Sequence, residues 1–193
     1  SNEDYYGDFS GRFRGGFNIS NIGQKVRYTD GGVENFIPTN LKLGGGFDFI
    51  IDDYNTISTN LEFNKLLIPT PPIRDRVTGE VLEGKEDNVA WVKGIFQSFN
   101  DAPDGFSEEL KEFTWGLGAE YLYDKSFSLR AGYFNENELK GARKYFTLGT
   151  GFKFKSSSID ISYLFNSSKI NNPLENTLRF SLSFNFGDLY EGY

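Results

Sequence analysis

Cysteine, methionine and histidine are all absent from this 193-residue chain. Without cysteine there is no disulfide framework, no thiolate metal site and no cysteine nucleophile. Without histidine, acid–base chemistry near neutral pH loses its commonest participant. No apolar stretch approaches the roughly 20 residues that a membrane helix requires. Signal peptide and initiator methionine are missing as well, so the chain is expected to be a processed product or a piece of a longer one. Basic charge is in short supply: 20 Lys and Arg against 27 Asp and Glu leave a net charge of −7. That balance argues against nucleic acid as a partner, because phosphate binding needs a basic face. No cofactor or metal is expected. The acidic segment Asn100-Asp101-Ala102-Pro103-Asp104-Gly105 lacks the ligand spacing and terminal Glu of a calcium hand and reads as a turn.

Aromatic residues and glycine are plentiful, with 20 Phe, 11 Tyr and 22 Gly. They fall in runs of period two, the signature of strands with one apolar and one polar face. Over 9–19, Phe9, Gly11, Phe13, Gly15, Phe17 and Ile19 alternate with Ser10, Arg12, Arg14, Gly16 and Asn18. Seven similar runs follow at 41–51, 57–67, 113–123, 127–133, 146–154, 159–165 and 178–186, making eight expected strands. The longest span eleven residues, about what a tilted membrane strand needs. Strands of soluble sheets centre on roughly 5–6 residues.

A soluble sandwich also alternates, but the distribution of charge favours a membrane barrel. The polar faces carry Arg12, Arg14, Lys42, Asp48, Glu62, Glu120, Arg130, Lys153, Asp160 and Arg179, which are expected to line an enclosed interior. The apolar faces hold a single charge, Lys65, near a strand end. Connections alternate between short ones (52–56, 124–126, 155–158) and long ones (21–40, 68–112, 135–144, 166–177). Bacterial outer-membrane barrels have short periplasmic turns and long outer loops. The expected fold is therefore all-β, an antiparallel transmembrane β-barrel of one domain over 1–193, with both ends of the segment periplasmic and outer-membrane lipid and lipopolysaccharide around it.

The connection 68–112 is 45 residues long, beyond the roughly 12–15 at which a loop usually carries structure or function. Its opening, Pro69-Thr70-Pro71-Pro72, cannot join a sheet ladder. A helix is expected near 88–99, capped by Asn88, with Trp91, Val92, Ile95, Phe96 and Phe99 on one face and Lys93 and Gln97 opposite. So short a helix cannot stand alone in water. Its apolar face is expected either to pack as a lid over the barrel mouth or to meet a partner. Ten acids and five bases fall between Thr70 and Glu112, giving −5 of the total charge; solvation accounts for this, with cation binding the alternative.

Several segments resemble the PorV/PorQ family of outer-membrane barrels of the type IX secretion system of Bacteroidetes. They include Asn18-Ile19-Ser20-Asn21-Ile22-Gly23, Phe36-Ile37-Pro38-Thr39-Asn40-Leu41, and Lys93-Gly94-Ile95-Phe96-Gln97-Ser98-Phe99. Gly118-Ala119-Glu120-Tyr121, Arg130-Ala131-Gly132-Tyr133-Phe134, Tyr145-Phe146-Thr147-Leu148-Gly149 and Asn176-Thr177-Leu178-Arg179-Phe180 extend the likeness over essentially the whole chain. The family is similar in build to fourteen-stranded barrels of the FadL type. The resemblance therefore implies that the eight strands are the C-terminal portion of a larger barrel; a complete eight-stranded barrel is the alternative. The run 177–186 resembles the recognition strand by which barrels are delivered for assembly, although the tail 187–193 departs from it.

The resemblance implies a non-enzymatic role: docking against the translocon, accepting secreted cargo that bears a C-terminal signal domain, and passing it to the sortase complex at the surface. The outer-loop helix face is the expected partner contact. Two other functions compete. Lipid A deacylation, suspected among relatives, would need an unusual Ser–Lys or carboxylate pair, and none stands out. Transport of hydrophobic molecules, by analogy with FadL, sits poorly with a charged lumen.

Overall fold

A computed structural model describes residues 3–7, 9–168 and 176–185. In chain order the elements are β1 (Glu3–Tyr5), β2 (Ser10–Ser20), β3 (Asn40–Ile50), β4 (Asn55–Leu66), β5 (Ile73–Arg74), β6 (Val81–Glu83), α1 (Trp91–Gln97), α2 (Phe106–Lys111), β7 (Thr114–Tyr123), β8 (Phe127–Asn135), β9 (Lys144–Phe154), β10 (Ser157–Asn166) and β11 (Leu178–Phe184). All eight expected strands are present, with ends shifted by one to two residues. A ninth, β1, pairs Glu3–Tyr5 with Ser10–Arg12. Phe186 and the tail 187–193 lie outside the described residues.

The nine strands form one antiparallel meander in the order β1-β2-β3-β4-β7-β8-β9-β10-β11, while β5 and β6 make a separate hairpin inside the long loop. The expected closed barrel is not reached: among the described residues no pairing joins β1 to β11, and the sheet stays open. It is nonetheless curled. Side chains from β2, β3, β4, β7, β8 and β9 together line one cavity of about 950 Å³, from Arg12 and Asp48 through Glu120 to Arg130 and Thr147. The polar face is thus the concave one.

Local chemistry explains the short turns. Asp52 accepts from the backbone N–H of Tyr54 and of Asn55, both at 2.8 Å, closing β3 onto β4. Asp124 and Lys125 both have positive φ (47° and 51°), the two-residue hairpin geometry whose twist matches that of the flanking strands.

Burial is inverted relative to a soluble domain. The largest fully buried side chains are Lys65, Asp48, Asp101 and Ser98, whereas Phe17, Phe13, Phe180 and Phe154 are 77%, 64%, 64% and 63% exposed. Only Leu67, Ala102, Ala142 and Leu164 are buried hydrophobics among the described residues. The convex face ends in aromatics on both sides: Phe63, Trp115, Tyr133, Phe146 and Phe165 toward the long loops, Tyr121, Tyr123, Phe127, Phe152 and Phe154 toward the short turns. Leu61, Leu117, Ala119, Ala131 and Leu148 lie between. Among the described residues no helix is long and apolar enough to cross a membrane.

Candidate functional site

The concave face is organised by one cross-strand row. Register places Arg12 opposite Asp48, Asp48 opposite Ser58, Ser58 opposite Glu120 and Glu120 opposite Arg130. The row then runs through Gly149 and Ser162 to Arg179. Asp48 is 2% exposed and accepts from Arg12 Nε at 2.9 Å and Arg14 at 2.6 Å. Arg130 donates to both Glu120 and Asp160. Lys42 pairs with Glu62 at 3.1 Å. Lys153 stands opposite Ser158 on the same face. Register thus places all ten polar residues on one face, and six of them form two ion clusters: Arg12 and Arg14 with Asp48, and Arg130 with Glu120 and Asp160.

At the opposite end of the strands, the long loop folds into a cap. Lys65, the odd charge on the apolar face, is fully enclosed and donates to Glu109 Oε2 (3.1 Å) and Glu112 Oε2 (2.6 Å). Glu109 Oε1 accepts from the backbone N–H of Asp101 (2.6 Å) and Ala102 (2.9 Å). Glu112 Oε1 accepts from Thr70 Oγ1 (2.7 Å) and Lys140 (3.0 Å), and Lys140 also reaches Glu108 at 2.6 Å. This network ties β4, α2 and the β8–β9 loop together. Against its burial, hydrogen bonds from Lys65, Thr70 and Lys140 hold the Glu112 carboxyl below its usual range. The Lys140 hydrogen bond does the same for Glu108.

Asp101 differs. Burial pushes its carboxyl up, the Thr70 N–H opposes this and the Glu109 charge adds to it; its Oδ1 is buried without a hydrogen-bond partner. Glu108 and Glu112 therefore stabilise the cap above the pH at which unfolded carboxylates ionise, and this is lost as pH falls through their folded values. Asp101 has the opposite sign: its contribution is fully present when protonated and is lost as pH rises through its folded value. Asp101→Asn is expected to increase amide-exchange protection of 68–112 at pH 7, the difference from wild type closing below about pH 4. No gain at pH 7 would contradict this account.

The helix of the cap departs from its expected form. It is shorter than 88–99, its N-cap is Ala90 with no side-chain cap bond, and Asn88 instead accepts from Lys25 at 3.3 Å. Its inward side is made of small residues, Gly94 and Ser98. A Cβ on Gly94 would lie 2.6 Å from the Phe36 ring and 3.1 Å from Pro69, so only glycine permits this approach. Trp91 and Ile95 are half-buried, while Val92, Phe96 and Phe99 are exposed, Phe96 by 74%. Helix α2, which the sequence reading missed, presents Phe106 and Leu110, also exposed; their i, i+4 spacing amid Ser107, Glu108 and Glu109 was the available signal. A second cavity, about 580 Å³, opens on the concave side beneath the cap, between Pro69–Pro71, Glu112 and the segment from Glu136 to Arg143.

Residues 1–73 match the family model of the type IX secretion system protein PorV. The match covers β1 to β4 and the first residues of the long loop, so the PorV resemblance holds there. No curated protein matches the chain.

Proposed function

We propose that this chain is a non-enzymatic, PorV-type component of the type IX secretion system, forming the C-terminal portion of a FadL-like outer-membrane barrel with its short turns and both segment ends in the periplasm. The observation that carries the membrane assignment is the inverted burial. An exposed apolar face spanning every long strand exceeds by far the few hundred Å² that soluble monomers tolerate, and aromatics at both of its margins suit the two interfaces of a bilayer. The secretion role rests on the family match over 1–73.

Within that role, the long loop is the docking element for secreted cargo that carries a C-terminal signal domain, between translocon and sortase complex. Val92, Phe96 and Phe99 supply its apolar contact, presented on a cap that ion pairs hold rigid, so little ordering entropy remains to be lost on binding. Mutual pairing of the interior charges argues against passage of acyl chains. Replacing Phe96 and Phe99 together by Ser is expected to abolish capture of tagged cargo in a pull-down while the protein still assembles in the outer membrane. Undiminished capture would refute the docking role.

A further inference from the structure

The cavity beneath the cap sorts its polar lining into two kinds. Its charged groups are all engaged with one another: Lys140 with Glu108 and Glu112, Arg143 with Glu136 at 2.7 Å, and Glu112 also with Lys65. Its neutral hydrogen-bonding side chains, apart from Thr70, which donates to Glu112, are not. Asn40, Asn64, Thr114 and Tyr145 come from four different strands, and among the described residues none makes a side-chain hydrogen bond. For Asn64 the deficit is explicit: its amide oxygen is buried and has no partner. A buried polar atom left unpaired forfeits the hydrogen bonds it had in water, and in a folded protein it calls for a reason. One wall is flat and aromatic, Phe134 stacked on Tyr145 at 4.8 Å between centroids.

We infer that this cavity, roofed by Pro69–Pro71 and walled by Asn40, Asn64, Thr114 and Tyr145, binds an uncharged saccharide of one or two rings. The size fits, since small-molecule sites run from about 300 to 1,000 Å³. The charge fits as well: four ionised groups that neutralise one another offer no surplus charge to a carboxylate, phosphate or ammonium ligand. Amide, hydroxyl and phenol groups both donate and accept, as sugar hydroxyls do, and a sugar's apolar face complements the aromatic wall. A peptide is less well served. Its backbone groups are one-way donors or acceptors that pair best along a free strand edge, and the strands here are paired on both sides.

The test uses the full chain in a zwitterionic, sugar-free detergent, with chitobiose and mannobiose as neutral probes, digalacturonate as the charged one and acetyl-trialanine-amide as the peptide, each read by saturation-transfer NMR and titration calorimetry. At least one neutral disaccharide should bind at millimolar concentration or tighter and outcompete the other two classes. Asn64→Leu should weaken it roughly five- to tenfold, and Tyr145→Phe, which preserves shape and stacking, should weaken it measurably while leaving heat-modifiable gel mobility unchanged. Failure of both neutral sugars to bind, binding that survives both substitutions, or preference for the peptide or the acid would each overturn the inference. It stands apart from cargo docking, because neither substitution touches Phe96 or Phe99.

Discussion

Lys65→Met is expected to release the cap. The ammonium is fully enclosed and is the shared partner of Glu109 and Glu112. Removing one member of a buried ion-pair network leaves the others desolvated and uncompensated, at about 3–5 kcal/mol. Opening of the cap should become correspondingly more frequent, and proteolysis follows the population of the open form when closing is fast. Cleavage between Pro69 and Glu112 should therefore accelerate roughly a hundredfold or more, with the strands still protected. Adding Glu109→Gln and Glu112→Gln to the same variant should restore much of the protection, because the stranded charges are gone. A single variant cleaved at the wild-type rate would show that the network does not hold the loop.

Leu117→Arg is expected to prevent stable insertion. Leu117 is 51% exposed on the convex face, opposite Leu61 in the middle of β7. At the mid-depth of a bilayer a barrel's lipid-facing Arg costs about 2–4 kcal/mol. On a water-exposed surface the same change would stay within about ±0.5 kcal/mol. The two environments thus give opposite answers, read as the folded fraction in lipid vesicles on unboiled gels. Phe96→Arg is the companion measurement: it is still more exposed, at 74%, yet lies on the cap, so it should fold normally. Equal folding of both variants would remove the bilayer from the account.

The eight long strands were legible because period two, sustained over seven to twelve residues, specifies both the element and its two faces. The charge row across the concave face follows from the same arithmetic once the register is known. What escaped was short or non-local. With three residues in β1, two in β5 and six in α2, there is too little sequence for a period to emerge. Helix α1 was located, but the sequence left open whether its apolar face packs as a lid or meets a partner. The Phe36 ring and Pro69 leave room only for Gly94 on the inward side, with Val92, Phe96 and Phe99 exposed. Lys65 stood out in the sequence as an anomaly on an apolar face; its partners lie 44 and 47 residues onward, a distance that no local pattern spans.

With so few apolar side chains enclosed among the described residues, the polypeptide has little to collapse around while it is surrounded by water. The solvent force that ordinarily compacts a nascent domain would here draw the phenylalanines of separate molecules together instead. If the proposed bilayer setting holds, compaction and arrival in lipid become a single event, and until then the chain has to be escorted in an extended form, its ladder bonds completed only where hydrocarbon covers their outer side.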